Sequence, residues 1–168
     1  HRDPIEVIYL LYHGEEGTKE QIAKFQRDLA SRAQCHPETL RHIEAIPRTG
    51  HPMDVFAAAL LVAGMYEGTG DYREDCLNVI AKLPQIAAAV INSHAGWGPT
   101  PASRPELGYM ENFVHLLKYP GEHRVEFIQV MRLFDLTHFD HQPEAIAGHV
   151  PWPPRDGTAY GNGAGHRR

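Results

Sequence analysis

The chain contains twelve histidines, and two of them have the spacing that a metal site could use. His138 and His141 lie three positions apart, and Asp135 lies three positions before His138, so the three side chains would share one face of a helix. A tetrahedral metal site takes three or four ligands of these types. The other histidines are scattered and are typical of surface or helix-capping positions. We therefore expect neither a bound metal ion nor another cofactor.

Three further sets of residues could take part in catalysis, but each has a more direct structural interpretation. His51 stands at the start of a predicted helix, where a capping side chain is expected. Lys82 is interpreted as a solvated or paired charge rather than as a catalytic amine. The third set lies on one predicted helix and is interpreted as packing: Tyr109, Asn112 and Phe113. Because the chain also has no glycine-rich phosphate loop and no nucleophile elbow, the sequence identifies no catalytic residue.

Length and composition are those of one globular domain with a sizeable core, since the chain has 168 residues and an apolar content of 42%. The net charge of −5 gives no indication of nucleic-acid binding. No apolar stretch reaches about 18 residues, so we expect no membrane span. Cys35 and Cys76 fit neither a zinc site nor a disulfide framework, and we expect reduced thiols in an intracellular protein. No targeting segment is visible.

Apolar residues recur with helical spacing along most of the chain, and strand-like alternation is absent from the sequence. The predicted helices are Ile5–His13, Lys19–Ala33, Pro37–Ile46, Met53–Met65, Asp71–Asn92, Leu107–Lys118 and Glu122–Phe139. Thr18 and Gln21 have the spacing of a capping box at the start of the second helix. The sequence therefore predicts an all-α fold, a multi-helical packed bundle.

Two of these helices have distinctive patterns. Met53–Met65 is apolar almost all round, and such a helix is either buried on every side or part of an interface. Asp71–Asn92 contains Pro84, which removes one backbone hydrogen bond and predicts a kink.

The chain divides into a helical region over residues 1–141 and a segment of different character over residues 142–168. The second segment is rich in Gly, Pro, His and Arg and shows no lasting apolar period. It has two interpretations: an irregular, disordered tail, or a reading frame that is wrong from Gln142 onward. The sequence leaves both open.

Four motifs within the helical region connect the chain to a known family. They are His51-Pro52-Met53, Ile-Ala-Lys-Leu-Pro followed by two alanines at 80–88, Tyr-x-x-Asn-Phe at 109–113 and His-x-Asp-His at 138–141. In this order they resemble the large domain of citrate synthases, closest to the mitochondrial-type branch. The resemblance covers about Pro4–His141 and is weaker over the first 50 residues. It implies that the bundle corresponds to the first part of that large domain.

The resemblance implies an acyl transfer that forms a carbon–carbon bond, in which acetyl-CoA and oxaloacetate give citrate in the tricarboxylic acid cycle. In that chemistry an aspartate removes a methyl proton of the thioester. One histidine stabilises the enol, and another polarises the oxaloacetate carbonyl. A weak carbon acid requires both a positioned base and stabilisation of the developing enolate oxygen.

The catalytic groups of the family lie late in its sequences, and their motifs are absent here. No Gly-Pro-x-His-Gly or Gly-His-x-Val segment occurs, and three late residues have the wrong neighbours: His149, Asp156 and His166. His141 alone matches a substrate ligand of the family, one that hydrogen-bonds oxaloacetate. Where the family continues this motif with Glu and glycines, the chain continues with Gln142. We therefore predict His141 as a substrate-binding residue, no catalytic residue, and no activity for the 168-residue chain by itself.

The resemblance also implies partners and alternatives. The family forms homodimers, and the corresponding surface here is Met53–Met65 with Asp75–Val90. A 2-methylcitrate synthase, which uses propionyl-CoA, is the alternative enzyme, because His-Pro-Met-Asp-Val is also common in that branch. A non-catalytic dimerising fragment and a histidine-rich metal protein are the alternatives from other classes. A bacterial cytoplasm or a mitochondrial matrix is the expected location.

Overall fold

The structure, a computed structural model, describes residues 3–119, Glu126 and residues 128–130. Six helices are defined: α1 (Pro4–His13), α2 (Lys19–Arg32), α3 (Pro37–Glu44), α4 (Pro52–Glu67), α5 (Tyr72–Ala95) and α6 (Tyr109–Leu116). Glu126 and residues 128–130 are helical as well. The described residues form no strand, so the predicted all-α fold is confirmed. Most of the predicted helix Glu122–Phe139 and all of residues 142–168 lie outside the described part.

The first two helices begin at capping boxes. Thr18 Oγ1 accepts a hydrogen bond from the Gln21 amide at 3.3 Å, and Gln21 Oε1 accepts one from the Thr18 amide at 2.7 Å. This exchange satisfies two backbone donors that a helix start leaves unpaired, as the sequence predicts. Asp3 and Glu6 form the same arrangement at the start of α1. That helix ends at Gly14, whose φ of 77° is a conformation that glycine adopts without strain.

Histidines cap the next two helices. His36 Nδ1 accepts a hydrogen bond from the Glu38 amide at 3.2 Å, and His51 Nδ1 accepts one from the Met53 amide at 3.2 Å. A proline follows each histidine at the first helical position, where its missing N–H costs no hydrogen bond. The predicted structural role of His51 is therefore confirmed.

Two of the predicted helices are too long by at least two residues. The α3 helix ends at Glu44 rather than at Ile46, because the last turn tightens and the Ile46 amide donates to the Ile43 carbonyl at 3.1 Å. The α6 helix is Tyr109–Leu116 rather than Leu107–Lys118. Leu107 belongs to the turn before it.

The α5 helix is the centre of the bundle, since α2, α3, α4 and α6 all pack against it. Its Ile86 and Ala89 join a core with α3 and α4, its Ala81 joins a core with α1 and α2, and its Ala88 packs against α6. Apolar burial from three directions explains why this helix is the longest of the six.

The α5 helix also has the length and hydropathy of a helix that could cross a bilayer. Its best window has a mean hydropathy of 1.2 over 18 residues, and half of that window is buried. The sequence-based expectation of no span considered only uninterrupted apolar runs. Since a core helix has the same composition, the packing described above accounts for this property without a membrane.

Pro84 lies inside α5, and the helix continues through it. Proline has no N–H, so the Ile80 carbonyl loses the helical donor it would otherwise have. The Tyr109 hydroxyl, from α6, donates to that carbonyl at 2.8 Å. A side chain from another helix thus supplies the missing hydrogen bond; the kink at Pro84 stays a prediction.

Candidate functional site

The α4 helix exposes an apolar stripe, which we call the α4 face: Met53, Ala57, Leu61 and Met65. These residues recur every four positions and so lie along one side of the helix. The side chains of Met53, Leu61 and Met65 are 62%, 70% and 79% exposed. The opposite side is buried through Val55, Ala59 and Ala63. The chain therefore does not bury this helix on every side, which is one of the two explanations for a helix that is apolar all round.

The α5 helix adds much less exposed surface than the predicted segment Asp75–Val90 suggests. Tyr72, Val79 and Ile91 are exposed, but Ala88 is fully buried against α6. Ala81, Ile86, Ala89 and Val90 are buried as well. The prediction that Asp75–Val90 forms a self-association surface is therefore too broad, because its second half fills the core of the chain itself.

A buried charged cluster joins α2, α3, α4 and α5 around Lys82. The Lys82 ammonium donates to the Arg32 carbonyl at 2.7 Å and lies 3.8 Å from a Glu67 carboxylate oxygen. The same carboxylate accepts from the His36 amide at 2.6 Å and the Thr39 hydroxyl at 2.8 Å. The sequence indicates that Lys82 is either a solvated or a paired charge. The structure shows a paired charge, because the side chain is buried and lies beside the Glu67 carboxylate.

The two thiols differ in environment. Cys35 is buried beside this cluster, and burial raises its pKa to about 12, with Glu67 raising it further and Lys82 lowering it. Such a thiol stays protonated and unreactive at neutral pH. Cys76 is half-buried on α5. Both are free, as expected.

Three buried amide side chains fasten the loop between α5 and α6. Gln85 accepts from the Cys35 amide at 2.7 Å and donates to the Pro101 carbonyl at 3.0 Å. Asn92 donates to the Thr100 hydroxyl in this loop at 3.2 Å, and it also contacts the end of α6, where it donates to the Leu116 carbonyl at 2.9 Å and accepts from the Lys118 amide at 3.0 Å. Asn112 accepts from the Arg104 amide at 2.9 Å and donates to the Ser103 hydroxyl at 2.6 Å. Because these amides are almost completely buried, their hydrogen bonds fix the loop.

The sequence predicts only a packing role for Asn112 and indicates no role for Gln85 or Asn92. Phe113 and Tyr109 do pack in the apolar clusters, as predicted. No local signal marks a helical amide as buried, since its partners come from residues 8 to 51 positions away. Only the three-dimensional arrangement reveals them.

Among the described residues no three His, Cys, Asp or Glu side chains lie close enough to hold a metal ion. The proposed ligands Asp135 and His138, and the predicted substrate ligand His141, lie outside the described part. The geometry of residues 3–119 therefore provides an apolar face and a rigid frame, and His141 stays a prediction.

Comparison with known proteins identifies the family. The family description "Citrate synthase, C-terminal domain" matches residues 1–146. Citrate synthase 4, mitochondrial, of Arabidopsis thaliana is 32% identical over 162 residues, which cover 88% of this chain and 33% of that protein. A mitochondrial 2-methylcitrate synthase of Fusarium solani is 32% identical over 163 residues, with 88% and 34% covered.

The fold of solved citrate synthases agrees with these matches. The enzyme from Pyrobaculum aerophilum superimposes with a TM-score of 0.69 at 23% identity, over 88% of this chain and 40% of that one. The chain thus spans about a third of the length of the curated relatives it matches. Since the match takes in most of its residues, the chain belongs to the citrate synthase family.

Proposed function

We propose that the chain is a helical part of a citrate synthase subunit, which joins acetyl-CoA to oxaloacetate and forms citrate and free coenzyme A. The family match over residues 1–146 carries this proposal. Relatives named citrate synthase from Arabidopsis thaliana and Daucus carota, 32% and 31% identical, support the same reaction.

In this proposal the chain contributes mainly packed helices to the subunit, and His141 is its one substrate-binding residue. Residues 3–119 supply packed helices and the α4 face, whereas the acid–base groups of the reaction have no matching motif in the sequence. His141 would hydrogen-bond oxaloacetate through its imidazole ring. No metal or other cofactor takes part in this scheme; acetyl-CoA is a substrate.

The 168-residue chain by itself should therefore show no turnover. Loss of one acid–base group costs about 10²–10⁴-fold in rate, and several are missing together. The assay follows release of coenzyme A from acetyl-CoA with oxaloacetate present, and the Arabidopsis enzyme serves as the positive control. Turnover above background by the pure chain would contradict the assignment of the catalytic groups to other residues.

A 2-methylcitrate synthase is the second candidate, because the relative of that name from Fusarium solani is as similar as the citrate synthase from Arabidopsis. A chimera tests the choice, with residues 1–146 replacing the matched region of the Arabidopsis enzyme. Unchanged preference for acetyl-CoA supports the first candidate. A shift of kcat/KM toward propionyl-CoA supports the second.

We further propose that the α4 face mediates homodimer formation, with the exposed part of α5 at its edge. Three large apolar side chains on one stripe are unfavourable in water and are buried when two copies meet. A two-fold contact brings the same stripe from each copy together.

The test compares Leu61→Glu with Leu11→Glu in sedimentation velocity. Both leucines are highly exposed, at 70% and 60%, but Leu11 lies on α1 and away from the α4 face. Leu61→Glu should abolish self-association because it would bury two carboxylates opposite each other. Leu11→Glu should leave the dimer intact. A wild-type chain that sediments only as a monomer, or a dimer indifferent to Leu61→Glu, would contradict the proposal.

Relatives include mitochondrial and peroxisomal citrate synthases, and we place this chain in a mitochondrial matrix or a bacterial cytoplasm.

The alternative that this chain is a histidine-rich metal protein is tested by zinc and nickel analysis after purification without a histidine tag. Stoichiometric metal would favour that alternative over the enzyme part.

A further inference from the structure

The methionines of this chain differ sharply in exposure, and the two exposed ones lie at the two ends of the α4 face. Met53 and Met65 are 62% and 79% exposed. Met110 is 6% exposed, because it belongs to the core between α5 and α6. The fourth methionine, Met131, lies outside the described residues. A solute in water therefore reaches both thioethers of the α4 face and not that of Met110.

A thioether that a peroxide can reach is converted to a sulfoxide. The sulfur attacks one oxygen of the peroxide, so that a sulfur–oxygen bond forms as the oxygen–oxygen bond breaks. The sulfur loses two electrons, and hydrogen peroxide is reduced to water. The flexible apolar side chain thereby becomes polar. Methionine sulfoxide reductases reverse the change with two electrons from a dithiol, and the oxygen leaves as water.

The composition of the α4 face makes it sensitive to this change. Leu61 and Ala57, the two central residues of the face, do not react with peroxide, whereas both of its ends do. None of the four side chains carries an N–H or an O–H group, so the face itself offers a sulfoxide oxygen no donor. A two-fold contact between two copies would bring four such oxygens out of water. Oxidation at both ends therefore opposes the burial of this face.

We propose that Met53 and Met65 are sites of reversible oxidation by peroxide, and that their sulfoxides keep the chain from forming its dimer. This inference rests on the proposed homodimer and names a regulation of the same surface. The modification acts on the unassembled chain, because contact between two α4 faces would cover both thioethers. Chains that are newly made or have dissociated are thus the ones that peroxide modifies.

The first measurement locates the added oxygen. The 168-residue chain is diluted until it is monomeric and treated with hydrogen peroxide, and its peptides are analysed by mass spectrometry. Cys76→Ser is present throughout, since this half-buried thiol can also react with peroxide. Met53 and Met65 should gain oxygen at least about tenfold faster than Met110, because peroxide reaches a buried sulfur only when the fold opens.

The second measurement is sedimentation velocity of the untreated and the oxidised chain. Oxidation should weaken dimerisation at least about 100-fold, since each buried oxygen without a donor is expected to cost about tenfold in affinity. Methionine sulfoxide reductases A and B with dithiothreitol should restore the dimer. The double variant Met53→Leu, Met65→Leu should dimerise and remain dimeric after peroxide. Met110→Leu and Met131→Leu, the matched controls, should lose the dimer on oxidation as the parent chain does.

The outcomes distinguish this inference from the proposed homodimer. An untreated chain that sediments only as a monomer contradicts the homodimer itself. A dimer that persists after complete oxidation of Met53 and Met65 overturns this inference and leaves the homodimer standing. Loss of the dimer in the oxidised double variant would assign the effect to another residue, and reversal by dithiothreitol alone would assign it to a thiol. Loss of the helical circular dichroism signal on oxidation would show unfolding instead, and would also overturn the inference.

Discussion

Asn92 should be one of the most important polar residues for the stability of this bundle. Its side chain is fully buried, and it donates to the Leu116 carbonyl at 2.9 Å and to the Thr100 hydroxyl at 3.2 Å. It also accepts from the Lys118 amide at 3.0 Å. The Leu116 carbonyl belongs to the last turn of α6, where a helix leaves its carbonyls without partners. Asn92 therefore joins the end of α5 to the end of α6.

The Asn92→Ala substitution removes all three bonds and leaves the Leu116 carbonyl and the Lys118 amide unpaired. A buried polar group without a partner, here the Leu116 carbonyl, costs about 1–3 kcal/mol, and the half-buried Thr100 hydroxyl and the backbone amide of exposed Lys118 can bond to water at a lower cost. We expect the free energy of unfolding to fall by about 3 kcal/mol. For a domain whose total stability is about 5–15 kcal/mol, this loss is large.

The assay is urea unfolding followed by far-ultraviolet circular dichroism at one fixed protein concentration. Asn78→Ala is the matched control on the same helix, because Asn78 is half-buried and accepts one bond, from Arg32 at 3.1 Å. It should cost less than about 1 kcal/mol. Equal losses for the two variants would refute the argument that burial and bond number set the cost.

Two further predictions concern a thiol and the end of the chain. The pKa of the Cys35 thiol is higher in the folded chain, about 12, than in the unfolded chain. The stability that this difference contributes is fully present below the pKa of the unfolded thiol and is lost as the pH rises toward about 12. The stability difference between wild type and Cys35→Ala should therefore shrink by about 1 kcal/mol from pH 9 to 10, and a difference independent of pH would contradict this. Deletion of residues 142–168 should change stability by less than about 1 kcal/mol, as for an unpacked terminus; a larger loss in urea unfolding would show that the segment packs.

Helix starts that carry a capping side chain were predictable from the sequence because their signals are local, whereas the start of α6, which has no side-chain cap, was predicted two residues too early. The Thr18–Gln21 capping box and the His51–Pro52 start depend on residues next to each other in the chain, and both are present. Helix ends were less predictable, since Ile46 could have continued α3 on its apolar spacing alone. The turn that ends α3 three residues before Pro47 has no such signal in the sequence.

Which apolar residue faces the core and which faces solvent could not be predicted in the same way. Leu61 and Ala88 both lie in apolar helices, yet one is 70% exposed and the other is fully buried. The difference depends on which helix packs beside each residue, and periodicity cannot show this when a helix is apolar all round. The buried amides pose the same difficulty, because Gln85 and Asn92 meet partners from other elements.

The hydrogen bond from Tyr109 to the Ile80 carbonyl has a consequence for how this sequence can change. Pro84 creates the unpaired carbonyl, and Tyr109 compensates for it from another helix. Replacing Tyr109 by Phe is therefore costly while Pro84 is present and nearly free once Pro84 has become Ala, because the helix then bonds its own carbonyl. The two positions should behave as an epistatic pair, 25 residues apart, in which the order of substitution decides whether the intermediate protein is stable.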